Sequence, residues 1–295
     1  MKQLIYIFTL ILTLASCSQR QEAAPFEADS TAVSSARLRV AVMPAMSCLP
    51  LYYAVQSGLA DSLGLPIELL RYEAQMDIDT AILAHHADIA FTDLIRAERL
   101  SKEVWVQPFA SCQEPLSLIS QKSKRVKRVN QMKEQMIAIS RLSATDFWCD
   151  YVLDSTKTNY DDIYRPQINN VALRAQMMEA DLIDAAMMGE PYATWMTLIG
   201  HRRLFMTGKK HTRLYAWAAC DSLPEASQKA FRCMLDSATT LISSDTEATL
   251  LRSILKQEYQ LPPALADTIA LPPLARTTDI RPADQTAAHE WLGKR

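Results

Sequence analysis

Glycine is scarce in this chain, six among 295 residues, and the glycine-dependent nucleotide motifs are missing: there is no GxGxxG turn and no P-loop. Neither an HExxH zinc helix nor a GxSxG nucleophile elbow is present. An excess of one charge is lacking too. Lys and Arg number 31 against 33 Asp and Glu, a net charge of −2, so the strongly basic footprint of a nucleic-acid-binding domain is absent and nucleic acid is set aside as a partner. The five histidines offer no metal set. His85 and His86 are adjacent on a helix and diverge, while His201 and His211 fall in loops without partners. The pairs Met177-Met178 and Met187-Met188 read as core filling, because a thioether copper site needs partners that this spacing does not provide. No catalytic residue, metal or cofactor is expected.

What is present begins at the N-terminus. Lys2 supplies a positive start, Leu4 to Leu14 form an apolar run too short to span a bilayer, and Leu14-Ala15-Ser16 precede Cys17. This resembles the lipobox of bacterial lipoproteins. The resemblance implies that residues 1–16 are a signal peptide, that Cys17 is acylated and becomes the mature N-terminus, and that the protein is exported and membrane-anchored. Ser18 after Cys17 leans toward the outer membrane by the same analogy. Residues 17–36, rich in Ser, Ala, Gln and Glu, have little to bury and read as a flexible tether. With Cys17 lipidated, Cys48, Cys112, Cys149, Cys220 and Cys233 remain, an odd number that allows at most two disulfides. Cys48 and Cys112 both follow strands of the first lobe and could meet at the cleft rim as one such pair.

The globular part is organised around Leu182 to Trp195, LIDAAMMGEPYATW. An apolar strand, Asp184 to Met188, breaks at Gly189 and Glu190 and restarts as a helix with Pro191 in its first turn, where a fixed helical φ is welcome. A strand end feeding a helix N-terminus is where open α/β sheets bind ligands. The same unit occurs earlier, in Ile78 to Leu100, with strand Asp88 to Phe91, turn Thr92-Asp93 and another helix. A second pair matches at nearly the same separation: Val40 to Met43 (VAVM) and Ile137 to Ser140 (IAIS). Two units that recur in order point to two similar α/β lobes.

Strands are expected at Leu38 to Met43, Ile67 to Arg71, Val104 to Phe109, Met136 to Ser140, Gln167 to Val171 and Leu204 to Thr207. Helices are expected at Pro50 to Gly58, through Ile78, Ile82 and Leu83, at Ala144 to Leu153, and at Leu173 to Ala180. This alternation predicts parallel sheets. Leu116 to Ser120 and Leu214 to Cys220 are expected to join the lobes, so residues 37–115 with 214–295 form lobe one and residues 116–213 lobe two. From Pro224 onward helical faces recur, through Ala230, Phe231, Met234, Leu235 and Ala238, then Leu250 to Leu255, ended by Pro262-Pro263, with a last helix at Gln285 to Trp291. These helices are expected to pack on lobe one. The basic run Lys122 to Lys133, KSKRVKRVNQMK, reads as a solvated face.

The run Ala172 to Trp195 resembles the signature of the nitrate, sulfonate and taurine type of ABC-transporter substrate-binding proteins, which includes thiamine-pyrimidine binders. Asp184, Ala185, Glu190 and Pro191 match that pattern residue by residue. Pro44 to Gly58 resembles the family's first loop and helix, and Met132 to Ile139 its entry into lobe two. The resemblance implies a type II periplasmic-binding-protein fold: α/β, two-lobed, with two hinge strands and a small polar ligand between the lobes. It also implies an ABC permease as partner and a monomer. Cys48 stands where many members carry His, Asp93 where a small residue is usual, and the turn Ser140 to Thr145 has no Gly.

Four strand-to-helix turns face the expected cleft: Ala45 to Leu49, Thr92-Asp93, Ser140 to Thr145, and Gly189-Glu190. The candidate ligand-binding set is Ser47, Cys48, Thr92, Asp93, Ser111, Ser143, Thr145 and Glu190. Hydroxyls and helix N–H groups orient a polar molecule. Carboxylates at Asp93 and Glu190 would repel a close anion and suit a cationic or donor-rich one. Each has a structural alternative, since Glu190 can serve its own helix terminus, Asp93 is evenly balanced, and Asp146 stands at capping-box spacing from Ser143. Two other functions remain open: a sensing lipoprotein without a transporter, and a pyrimidine-synthase type of cleft enzyme, for which no cleft turn supplies a cofactor lysine.

Overall fold

The computed structural model describes residues 37–244 and 248–295; the leader, Cys17 and the tether lie outside the described residues. Among the described residues nine strands form two sheets. The first contains β1 (Leu38–Val42), β2 (Ile67–Arg71), β3 (Ile89–Asp93), β4 (Gln107–Ser111) and β9 (Tyr215–Ala219), in the order β2-β1-β3-β9-β4. The second contains β5 (Leu116–Ser120), β6 (Ile137–Ala138), β7 (Ala185–Gly189) and β8 (Arg202–Met206), in the order β6-β7-β5-β8. All five residues of β3 and of β5 are buried.

The sheets are mixed rather than parallel. β9 runs antiparallel to β3 and β4, and β5 antiparallel to β7 and β8, while β1 pairs parallel with β2 and β3, and β6 with β7. The reason is connectivity: β5 and β9 are the first strands after the chain changes sheets, and each enters its sheet from the opposite end. The two sheets match strand for strand, β1-β3-β9-β4 against β6-β7-β5-β8, with the reversed strand third in each. The recurrence of VAVM as IAIS is thus a recurrence of β1 as β6.

The counterpart of β2 is degenerate. The strand expected at Gln167 to Val171 is reduced to isolated parallel bridges, Met136 to Tyr164 and Ile139 to Gln167. Pro166 has no N–H to give a ladder, and Asn170 caps the next helix by accepting from Leu173 N at 2.9 Å.

Helices cover the sheets. In the first lobe these are α1 (Leu49–Gln56), α2 (Leu59–Ser62), α3 (Gln75–Leu83) and α4 (Leu94–Leu100). Gly58, at φ 77°, supplies the left-handed turn after α1. The second lobe adds α5 (Ala144–Ser155), α6 (Val171–Glu179) and α7 (Tyr192–Leu198). The basic run forms only two short 3-10 turns, 122–124 and 129–131, and Lys124 pairs with Asp184 at 2.7 Å.

Four further helices follow: α8 (Glu225–Ser243), α9 (Ala248–Gln257), α10 (Pro263–Thr268) and α11 (Pro282–Leu292). Pro262 and Pro263 both end one helical run and open α10, Pro263 being its first residue. The apolar face of α8 buries Phe231, Met234, Leu235 and Ala238. Phe231 stands edge-on to Trp217 of β9, with ring centroids 5.2 Å apart. The last helix touches both lobes: His289 meets Glu98 of α4 at 2.6 Å, and Trp291 Nε1 donates to Asp150 of α5 at 2.7 Å. All five cysteines of the described residues are free thiols, four of them buried.

Because Phe231 is wholly buried and joins α8 to β9, Phe231→Ala is expected to cost about 3–5 kcal/mol of unfolding free energy, measured by urea denaturation. A loss below about 1 kcal/mol would show that α8 does not complete the core.

Candidate functional site

The lobes meet over a cavity of about 40 Å³, lined from both sides, with room for a few waters. β1, β3 and α3 bring Pro44, Asp93 and Gln75 to it; the turn before α5 brings Ser140 and Ser143; α6 brings Arg174. Glu114, in the crossing from β4 to β5, and Glu190, after β7, close the remaining wall.

Of the expected residues, Asp93, Ser143, Thr145 and Glu190 line this cavity. The other four do not. Cys48 has no exposure and packs within the first lobe's hydrophobic cluster, and burial drives its thiol pKa well up. Ser47 gives its backbone N–H to Glu114 at 2.7 Å and borders a separate small cavity. Thr92 Oγ1 is buried against Gln75 at 3.4 Å. Ser111 is held by a backbone bridge to Thr278.

The carboxylates are already engaged. Asp93 caps α4 by accepting from Ile95 N at 3.1 Å and Arg96 N at 3.0 Å, and its second oxygen accepts from Ala144 N of α5 at 3.2 Å. Glu190 accepts from Thr194 N at 2.9 Å and pairs with Arg203 at 2.9 Å. Glu114 takes the N–H groups of Met46 and Ser47, at 3.2 and 2.7 Å. An added Cβ at Gly189 would stand 2.8 Å from Glu114 Oε1, so that glycine makes room for the carboxyl. These carboxylates thus have partners inside the protein before any ligand arrives.

Arg174 presents the opposite case. It is 3% exposed, and its guanidinium donates only to backbone carbonyls: Ile168 O at 2.6 Å, Asn169 O at 3.5 Å, and Met187 O. No carboxylate among the described residues forms an ion pair with it. Three of its five N–H donors are thereby used. Desolvation lowers its pKa to about 10, so it stays cationic at neutral pH. A buried charge without a counter-ion is costly. Near it Gln75 turns its Nε2 to Phe91 O at 3.2 Å, leaving Oε1 buried without a donor.

Sequence reasoning missed Arg174, Gln75, Glu114 and Tyr215, all of which line the cavity. A signal existed for Arg174, a lone charge between Ala172, Ala175 and Met178, which form the buried face of α6.

The fold is that of the two-lobed periplasmic binding proteins. Solved structures with this fold include the alkanesulfonate-binding protein SsuA from Xanthomonas axonopodis pv. citri bound to MOPS, with TM-score 0.70, 19% identity, and 88% of this chain and 93% of that one covered. The periplasmic nitrate-binding protein NrtA from Synechocystis PCC 6803 matches with TM-score 0.67 at 14% identity, over 82% of this chain and 73% of that one. PhnD1 from Prochlorococcus marinus (MIT 9301), in complex with methylphosphonate, matches with TM-score 0.59 at 11% identity, over 87% and 97%. No family model matches the sequence, and no curated protein matches it.

Burial raises Asp93 to about 6 and Glu114 to about 7, from ordinary values of 3.8 and 4.5. Both bind protons more tightly when folded, so their contribution to stability is full below the ordinary values and is lost as pH rises through the folded ones. Denaturation midpoints are therefore expected to fall between about pH 4 and pH 7, with a flatter profile in Glu114→Gln. An identical profile in that variant would remove Glu114 from the account.

Proposed function

We propose that this chain is an exported, lipid-anchored, monomeric solute-binding protein that captures a small oxyanion between its lobes and delivers it to an ABC permease. The observation that carries the anion is Arg174, a buried guanidinium with spare donors and no carboxylate partner among the described residues. An oxyanion supplies the missing charge and accepts planar, charge-assisted hydrogen bonds. Gln75 Oε1 accepts a donor elsewhere on the same molecule. The proteins of like fold named above bind an alkanesulfonate, nitrate and a phosphonate, which agrees with this chemistry. Ser143 and Thr145 add hydroxyls at the start of α5, and Glu190 holds its own helix terminus. The anchor rests on Leu14-Ala15-Ser16-Cys17 and the polar segment after it.

A thermal-shift screen with MOPS, nitrate, methylphosphonate, an aminopyrimidine and amino acids tests the ligand class, since a molecule that binds only the folded state raises its stability. Oxyanions are expected to stabilise, and Arg174→Gln to weaken that binding about ten- to hundredfold, as loss of a charged hydrogen bond requires. Stabilisation by the aminopyrimidine alone would overturn the anion reading.

Cys17→Ala is expected to leave the domain folded while releasing it from the membrane fraction or leaving it unprocessed. Tight membrane association of mature-sized Cys17→Ala protein would rule out lipid anchoring.

A further inference from the structure

Outside the cleft cavity, a much larger groove of about 920 Å³ runs between the two lobes. α3 and α4 form one wall, and the turn before α5 with Arg165 and Gln167 forms the other. Six cationic side chains line it against three carboxylates, Asp79, Glu103 and Asp146. This excess of positive charge sits on a chain whose net charge is −2.

Much of the lining is internally neutralised. Arg96 pairs with Asp79, Arg165 bonds Asp146 at 3.1 Å, and Arg295 is held by Asp150. Arg99 and Lys102 on the first lobe and Arg141 on the second form no side-chain hydrogen bond or salt bridge among the described residues, Arg99 acting on Asp79 only through its field, so cations not held by a direct partner line both walls. Glu103 is the one lining carboxylate without an ion pair among the described residues, so positive charge remains in excess, and a cleft with an excess of one sign raises the local concentration of counter-ions.

Only a thin partition separates groove and cavity. Arg96, which lines the groove, donates across the lobes to Ser140 Oγ at 2.8 Å and Arg141 O at 3.3 Å. Beside it Asn169 Nδ2 reaches Met76 Sδ at 3.5 Å. Ser140 and Asn169 line the cavity, Arg96 and Met76 the groove.

We propose that this groove is a second, outer anion site, in which Arg99, Lys102 and Arg141 hold a small oxyanion before it passes the Arg96–Ser140 partition to Arg174. Its collecting role rests on the anion reading of the cleft; the site itself does not. Inorganic sulfate is a suitable probe, because its charge and compact shape suit guanidinium and ammonium donors.

The test is residue-resolved. The isotope-labelled full chain in detergent is titrated with sodium sulfate and, at equal ionic strength, sodium chloride, following backbone amides by NMR. Saturable, sulfate-specific shifts are expected at Arg99, Lys102 and Arg141. They should persist in Arg174→Gln and vanish in the Arg99→Gln, Arg141→Gln double variant, which leaves the partition intact. In the double variant the association rate of whichever screened oxyanion binds the cleft should fall about tenfold at low salt, with little change in dissociation rate. Groove shifts that never saturate, that chloride reproduces, or that disappear with Arg174→Gln overturn the outer site, and an unchanged association rate overturns its collecting role. If no screened anion moves the amides of Ser143 and Gly189, the cleft reading fails and the collecting role with it, while the sulfate arm still decides whether the groove is a site.

Discussion

One carboxylate, Asp93, serves two helix N-termini at once. It caps its own α4 and accepts from Ala144 N at the start of α5, across the lobe boundary. Helix N-termini carry unpaired donors and a positive dipole end, so each lobe offers a terminus and a single buried anion from lobe one occupies both. Arg96 continues the junction to Ser140, and Ala74 pairs with Asn170 in an isolated bridge nearby. The shut lobes and the small cavity between them both follow from this junction. A solute larger than a few waters enters only when Asp93 and Ala144 part, and its binding must offset the loss of those contacts.

The charge pattern around the cavity then has a plain logic. In the proposed anion site, carboxylates nearby would be self-defeating unless their charge were spent elsewhere, and each here is spent: Asp93 on helix N–H groups, Glu190 on Arg203, Glu114 on the Met46 and Ser47 amides. They shape and tie the walls. Arg174 alone among the charged lining groups is held only by carbonyl dipoles. Carbonyls orient a guanidinium without cancelling its charge, and that is the state from which the proposed oxyanion would gain most.

The elements were largely legible in the sequence because strand-turn-helix units carry local signals: a short apolar run, a polar break, then a capping residue such as Ser143, or Pro191 at the helix entry. The recurrence of VAVM as IAIS, and of the Asp88 unit as the Asp184 unit, reflected a real match of strand order between the sheets. The reversed direction of β5 and β9 was not legible, since an apolar run such as LSLIS has no polarity of its own. At the site, turn residues were found only where the turn faces the cavity, as at Ser143 and Thr145. Cys48 follows β1 as expected, yet it faces the core. The signal at Arg174, a lone charge on the apolar face of α6, is easily passed over because a lone Arg in a helix ordinarily snorkels to solvent, and the packing of α6 against β7 shows it pinned inward by Met187 O.

The same reversal bears on how the lobes can move. β5 and β9 are not linkers lying between the sheets; each pairs on both sides within a sheet. Bending is therefore confined to the short crossings before them, residues 112–115 and 207–214. Glu114 lies in the first crossing and grips Met46 and Ser47, so movement there is felt at the cavity wall directly. α11 adds a third link, bonded to Glu98 on one lobe and Asp150 on the other. Two crossings alone would permit twisting as well as opening. A helix fastened to both lobes resists twisting, and leaves opening along the groove, where the contacts to be broken include Asp93 to Ala144, Arg96 to Ser140 and the Ala74–Asn170 bridge.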